Sequence, residues 1–484
     1  MTMPSLWLSL FRQTAVPGTS LREQLCRALR QAIANGTLAQ HARLPASRVL
    51  AADLGLSRVT VEAAYAQLET EGYLGRHVGQ GTFVRIAMPR RDASAQGGMP
   101  AIGLGLSRRG EQIRRGGGCQ DPLRPQAFCA GSPELRAFPA DTWRQLLNRR
   151  LRQDGEALMR YGDPQGHPDL RRAIAHYLGQ SRGVRCSAEQ VLVLTSSQQA
   201  LQLLATMLLD TGDTVWVEEP GYRGAKTAFA AAGASLLPLP VDQDGLQFDP
   251  QSAAPRLICL TPSHQYPLGA TLSLPRRLGL IDYARQHGCW LVEDDYDSEF
   301  HYDGHPLPAM QGLDAQQQVI YLGTFSKVLF PSLRLAYLVL PPALVEPMVT
   351  ARTVQDGHCA QLSQAVTADF IEQGHFAAHL RQMRQLYRSR RDALQDMLTT
   401  HLPWLSPQVV NGGLQLAASL PTGWELPLSR QATALGIATP SLSSLYLGTP
   451  RQEGWLLGYA ALTPDEMGGA VKVLAGLKLP GDMG

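Results

Sequence analysis

The stretch Val319-Ile320-Tyr321-Leu322-Gly323-Thr324-Phe325-Ser326-Lys327 decides how this chain is read. A short apolar run that ends in glycine and small hydroxyl residues reads as a buried strand stopping at a crevice, with a lysine just past its end. The chain has four lysines (Lys226, Lys327, Lys472 and Lys478), and arginine supplies the rest of its 44 basic residues. Generic positive charge is therefore arginine's task, and a lysine inside a motif stands out. A desolvated lysine in such a place is suited to form an imine with an aldehyde.

Working outward, further apolar strands are predicted at 191–194, 214–217, 257–260, 290–292 and 335–340, with a helix over 198–209 between the first two. Such alternation implies an α/β domain with a largely parallel sheet, whose ligands sit at the carboxyl ends of the strands. After the strand at 290–292 comes Glu293-Asp294-Asp295-Tyr296, and a buried carboxylate there can hold a pyridine nitrogen protonated. After 191–194, Thr195-Ser196-Ser197-Gln198 opens a helix whose free N–H groups and hydroxyls form a phosphate seat. Arg334, seven residues past the lysine, can add a bidentate contact to the same phosphate.

The first 85 residues read differently. Ser20 with Glu23 is a capping box opening an amphipathic helix on Leu21, Leu25, Leu29 and Ile33, which Gly36 ends. A short helix over 46–54, a tight turn at Gly55-Leu56 and a third helix from the N-cap Ser57 to about Glu71 follow. Val61, Ala64, Tyr65 and Leu68 make that helix's buried stripe and leave Arg58 and Thr60 outside it. Two strands, 73–76 and 82–84, joined through Gly79-Gln80-Gly81, complete a winged helix-turn-helix. Arg48, Ser57, Arg58, Thr60, Arg76, His77 and Gly79 are the candidate DNA contacts, the arginines and the wing at phosphates and Thr60 at base edges. A three-helix packing domain with a solvated basic face fits the same pattern.

Composition bounds both readings. The 484 residues are 44% hydrophobic and 18% charged, an ordinary globular balance, long enough for two or three domains of roughly 150 residues. The net charge of +3 is uneven: basic residues exceed acidic ones up to about residue 122 and fall below them afterwards, which suits a polyanion at the N-terminal end. Seven cysteines without a Cys-x-x-Cys pair argue against a zinc site or a disulfide framework and for a reducing cytoplasm. No metal site is expected, and no apolar segment reaches the roughly 18 residues of a membrane span. The Gly- and Arg-rich stretch 87–122 reads as a flexible basic linker.

Longer strings carry family resemblances. Leu44-Pro45-Ala46-Ser47-Arg48, Leu54-Gly55-Leu56-Ser57-Arg58, Glu71-Gly72-Tyr73-Leu74 and Gly79-Gln80-Gly81-Thr82-Phe83-Val84 closely resemble the DNA-binding domain of GntR-family regulators. The strand-end serines, aspartate, lysine and arginine, with Tyr161-Gly162-Asp163-Pro164-Gln165-Gly166 and Pro220-Gly221-Tyr222, resemble fold-type I pyridoxal 5′-phosphate (PLP) enzymes of the aminotransferase class. That resemblance implies a Schiff base at Lys327, Asp294 on the pyridinium nitrogen, Tyr296 on the ring oxygen and Tyr222 stacked on the ring. It places Ser196, Ser197, Gln198, Thr324, Ser326 and Arg334 around the phosphate, with Tyr161 reaching the phosphate of a neighbouring subunit. Two departures accompany it. Ser263-His264-Gln265-Tyr266-Pro267-Leu268-Gly269 stands where those enzymes carry an Asn-Pro-x-Gly-like stretch, and Leu456 stands where they carry the arginine that binds substrate carboxylate; Arg223 and Arg451 are alternatives for that arginine.

A GntR-like winged helix at 12–86, the linker at 87–122 and an aminotransferase-like domain at 123–484 together resemble the MocR (GabR-type) regulators. Thr261-Pro262 before Ser263 and the string Glu293-Asp294-Asp295-Tyr296-Asp297-Ser298-Glu299-Phe300 add to that match. The resemblance implies a cytoplasmic homodimer that binds double-stranded promoter DNA and senses PLP, or PLP joined to an amine or amino-acid effector, with partial cofactor chemistry at most. An active aminotransferase carrying a DNA-binding module is the alternative, and a PLP-dependent lyase a more distant one.

Overall fold

The computed structural model describes residues 3–14, 16, 18–77, 80–86, 105–117, 126–302 and 308–480. The chain divides into two compact units, Met1–Gly105 and Leu106–Gly484.

In the first unit α1 (Met3–Gln13), α2 (Leu21–Ala34), α3 (Ser47–Leu54) and α4 (Arg58–Thr70) precede an antiparallel hairpin, β1 (Leu74–His77) and β2 (Gly81–Val84). The stripe Val61, Ala64, Tyr65 and Leu68 is buried, against Leu25, Leu29 and Ile33 of α2 and Leu50 and Leu54 of α3. Gly55 closes α3 in the left-handed conformation, φ 66°, which a side chain would strain. The core of this unit also takes in residues ahead of the expected start at 12. Trp7 of α1 is 5% exposed and belongs to this same core.

The second unit opens with α5 (Arg108–Gly116), inside the stretch expected to be a structureless linker. This nine-residue helix buries none of its side chains and so shows no apolar period. Two polar contacts define it: Ser107 Oγ caps Gly110 N at 3.0 Å, and Arg223 donates to its Gly116 carbonyl at 2.7 Å.

Next come α6 (Ala140–Asp154), α7 (Pro168–Arg182), β3 (Val191–Leu194), α8 (Ser197–Leu208), β4 (Thr214–Glu219), α9 (Arg223–Ala231), β5 (Ser235–Asp242), β6 (Gly245–Leu246) and β7 (Leu257–Leu260). They are followed by α10 (Leu274–His287), β8 (Trp290–Asp295), α11 (Met310–Leu313), β9 (Val319–Thr324) and β10 (Ala336–Val339). The eight strands pair in the order β3-β10-β9-β8-β7-β4-β5-β6. From β9 to β5 the pairs are parallel, but β10 is antiparallel to both its neighbours. The strand expected at 335–340 thus runs against β3 and the parallel run from β9 to β5, and β8 continues to Asp295 instead of stopping at Val292. β3, β7, β9 and β10 are buried throughout, so no alternation records strand direction. Helices α12 (Pro342–Gln355), α13 (Gln361–Glu372) and α14 (His375–His401) lead to a three-stranded antiparallel sheet of β11 (Ser406–Pro407), β12 (Gln415–Leu420) and β13 (Glu453–Gly458), flanked by α15 (Glu425–Ala434) and α16 (Pro464–Ala475).

Candidate functional site

The register of the large sheet assembles a site at one edge of the strands. Ala336 at the start of β10 pairs with Leu194 at the end of β3 and with Thr324 at the end of β9. The antiparallel strand therefore brings Arg334 beside the serines that open α8 and beside Ser326 and Lys327; Phe325 N donates to Leu335 O at 3.0 Å across this junction. Arg334 holds a left-handed backbone, φ 54° and ψ 52°, a conformation that costs a non-glycine residue roughly 1–2 kcal/mol. Strain of this kind persists where the surrounding structure over-determines it, and β10 is locked on both sides.

Ser196 caps α8, its Oγ accepting from Gln199 N at 3.1 Å, and Ser326 N donates to Thr324 Oγ1 at 3.2 Å. Gln198 donates to Gly224 O at 3.0 Å while its Oε1 is buried without a partner. A β-carbon on Gly224 would fall 2.4 Å from that oxygen and 2.5 Å from the Tyr222 ring, so only glycine lets Tyr222 lie against the start of α8.

Asp294 sits one strand in from β9, opposite Leu322. Its side chain is buried, Oδ1 has no hydrogen-bond partner, and burial together with Asp295, Glu218 and Asp297 pushes its pKa up to about 7. An uncompensated carboxylate in a closed place is costly and calls for a donor. Asp295 also has a partnerless buried Oδ1, but its charge is compensated: Oδ2 takes Arg182 at 2.9 Å and the Tyr321 hydroxyl at 2.7 Å. Tyr296 lies with its hydroxyl 3.2 Å from His264 Nδ1, which is itself 3.0 Å from Asp297. Burial opposes a charge on His264, but the Asp297 carboxylate outweighs it and raises the pKa. Tyr222 and Tyr296 both meet Tyr266 edge to face, at 5.7 and 6.0 Å between centroids.

Lys327 is half-buried at the far end of the same strand junction. The point where a β-carbon on Gly131 would lie is 2.9 Å from its Nζ. Of the other lysines, Lys226 is bound to Glu219 at 2.6 Å, and Lys472 and Lys478 are exposed. Tyr161 is 98% exposed, its ring 5.9 Å from that of His358. The sequence reading missed the His264–Asp297 pair and Gly131, whose neighbours are remote along the chain. Arg223 grips the end of α5, Arg451 is exposed, and Leu456 is buried. Chemically, the ensemble offers an amine, a buried acid for a basic ring nitrogen, aromatic faces and an anion seat; a flat phosphorylated aldehyde suits it.

In the first unit, Ser57 caps α4 by accepting from Thr60 N at 3.1 Å, and the two hydroxyls are 2.7 Å apart. Arg58 is exposed and paired with Glu62 at 2.7 Å; Arg76 pairs with Glu69 at 3.2 Å. Arg48 is exposed on α3, and His77 leans on Phe83 at 5.8 Å. Gly79 lies outside the described residues. Arg43, passed over in the sequence, bridges to Phe83 and lays its guanidinium on Gly81 of the hairpin. Among the described residues, no group of three or more His, Cys, Asp or Glu side chains is arranged to hold a metal ion, and no helix is long and apolar enough to cross a membrane.

Comparison with known proteins gives two family matches, "Bacterial regulatory proteins, gntR family" over residues 21–84 and "Aminotransferase class I and II" over residues 127–467. The chain is 43% identical to the probable rhizopine catabolism regulatory protein MocR of Rhizobium meliloti, over 95% of this chain and 93% of that one. It is 29% identical to the HTH-type pyridoxine biosynthesis transcriptional regulator PdxR of Corynebacterium glutamicum, over 93% and 94%. Among solved structures it is similar to LysN, the α-aminoadipate aminotransferase of Thermus thermophilus complexed with N-(5′-phosphopyridoxyl)-L-leucine, with TM-score 0.68, 29% identity and coverage of 76% and 94%.

Proposed function

Because the chain belongs to the MocR-type transcription regulators, in which a GntR-type DNA-binding domain precedes an aminotransferase class I and II domain, we propose that its large unit senses PLP together with an amine effector. The observation that carries this reading is Asp294: a buried carboxylate with an unpartnered oxygen, one strand from Lys327, fits a protonated pyridine nitrogen. When bound, PLP supplies an aldehyde that reacts reversibly with primary amines and a ring that takes up negative charge.

The chain's own residues divide the work. Lys327 offers the amine that bonds the aldehyde. Asp294 accepts from the ring nitrogen, and Tyr222 covers one ring face. Tyr296, backed by His264 and Asp297, gives a hydroxyl to the ring oxygen. Ser196, Ser197, Gln198, Thr324, Ser326 and Arg334 hold the phosphate, and the exposed Tyr161 serves the phosphate of a partner subunit in a homodimer. In the DNA-binding unit, Arg48, Arg58, Arg76 and His77 meet backbone phosphates of a promoter duplex, with Ser57 and Gly79 at the same surface and Thr60 at base edges. Domain limits near 86 and 123, and a cytoplasmic location, complete the reading.

An effector that favours one arrangement of the large units shifts DNA affinity by no more than its own differential affinity for the arrangements, typically 1–3 kcal/mol. The aminotransferase alternative is disfavoured by Leu456: catalysis on an amino acid needs the carboxylate held so that the reacting bond stands across the ring. Fluorescence anisotropy of a duplex covering the DNA upstream of the gene, measured without cofactor, with PLP, and with PLP plus a panel of amines, tests the proposal. An affinity that is the same in every case refutes it.

A further inference from the structure

Two strands of the small sheet bear on what enters beside Lys327. Gln415 begins β12 and is 4% exposed, and its Oε1 is buried with nothing among the described residues donating to it. The point of a β-carbon on Gly131 lies 3.5 Å from this oxygen and 2.9 Å from Lys327 Nζ. The glycine thus leaves open a space that the amide and the lysine share. The pairing of β12 with β13 sets Gln415 opposite Gly458 and Ala417 opposite Leu456. Residues two apart on a strand share a face, as do residues directly opposite. Gln415 and Leu456 are therefore diagonal neighbours on one face of the sheet.

That face carries the position at which the aminotransferase resemblance expects an arginine for a carboxylate. Here it carries leucine, and beside it an amide whose buried oxygen lacks a donor among the described residues. The buried arginines on bordering elements are committed: Arg182 to Asp295, Arg390 to Glu134, and Arg391 to Asp392 and the Val410 carbonyl. A carbonyl oxygen repels a carboxylate and accepts from an O–H or N–H, and a buried acceptor left unmatched is penalised.

We propose that Gln415 selects the effector, and that the effector is a primary amine bearing neutral hydroxyl or amide groups where an amino acid bears its carboxylate. The proposal rests on the reading that an amine competes with Lys327 at PLP, and it names the class of that amine.

Serine and serinol are matched probes, since they differ only in a carboxylate replaced by CH2OH. Each is titrated into the PLP-loaded full chain while the cofactor's absorbance reports displacement of Lys327. Wild type is expected to respond to serinol at a concentration at least about tenfold lower than to serine, tenfold being the discrimination that 1.4 kcal/mol gives. Gln415→Leu is expected to take up PLP with the same band, which also shows that it folds, and to lose the preference. Gln415→Arg is expected to invert it in favour of serine.

Equal or reversed preference in wild type, an absorbance that neither amine moves, or a preference untouched in both variants overturns the proposal. A wild-type chain that forms no band with PLP overturns the cofactor reading and this inference with it. A band that forms and then shifts without regard to residue 415 overturns this inference alone.

Discussion

Helices α4 and α8 begin alike and open onto opposite surroundings. Each is capped by a serine whose hydroxyl accepts from the N–H three residues on, at 3.1 Å in both cases. Beyond Ser57 lies Arg58, with a side chain 68% exposed and already paired with Glu62. Ahead of Ser196 lies a strand with all four residues buried, and around it stand β9, β10 and the unpartnered Asp294. A helix N-terminus attracts an anion in either place, but solvent screens the exposed Ser57 end more than the half-buried Ser196 end. The same cap thus suits a weak, additive grip on a long polyanion at α4 and a firmer grip on a single phosphate at α8.

The largest test falls on the enclosed side. Lys327→Ala is expected to abolish the absorbance of covalently held PLP and its capture by borohydride, with no other lysine labelled; peptide mapping that finds the label on Lys226, Lys472 or Lys478 breaks the assignment.

Asp294 gives the next effect. Its carboxyl is raised from 3.8 to about 7 by burial and the neighbouring carboxylates, so the folded chain without cofactor keeps a proton that the unfolded chain releases. Stability then falls as pH rises from about 4 to about 7 and levels above it. Asp294→Asn removes this group's share of that slope, at most about 4 kcal/mol at 1.36 kcal/mol per unit, and weakens PLP binding. Denaturant melts across pH check the first and absorbance titration the second; an unchanged slope contradicts the buried carboxylate.

On the open side, Arg48→Ala and Arg58→Ala are each expected to reduce the slope of log K against log salt by roughly 0.9 without changing which duplex is preferred, whereas Thr60→Ala relaxes base preference. Because Glu62 already holds Arg58, Glu62→Gln is expected to tighten DNA binding. Anisotropy at several salt concentrations decides.

Smallest is the cap itself. Ser57→Ala and Ser196→Ala each lose about 1 kcal/mol of helix stability, yet only Ser196→Ala is expected to lower PLP affinity as well. Equal loss of PLP affinity in both variants, or in neither, erases the contrast between the two helices.

What could be read in the sequence followed the reach of local pattern. Val61, Ala64, Tyr65 and Leu68 recur at helical spacing, and all four are buried. Lys327 stood out because lysine is rare here and follows an apolar run. The direction of β10 was hidden because its four residues are buried on both faces, as a parallel strand's would be. Helix α5 was hidden for the opposite reason: it has no apolar face, and a single arginine, Arg223, holds its last carbonyl. Gln415 and His264 owe their settings to Gly131 and Asp297, which no spacing rule connects to them.

The inserted strand also fixes an order of events during synthesis. β3 stands at the sheet's edge and β10 is its one strand neighbour; Val193 N meets Gln165 O on the outer side, but the backbone groups facing β10 wait for a partner until residue 339 has left the ribosome. At roughly 5–20 residues per second the delay is on the order of ten seconds, during which an entirely apolar strand has an open side. A nascent chain in that interval is exposed to edge-to-edge association, and the proposed phosphate seat does not exist before it ends. Chaperone demand and inclusion-body formation should therefore respond to slowed translation between β3 and β10 more than to slowing after it.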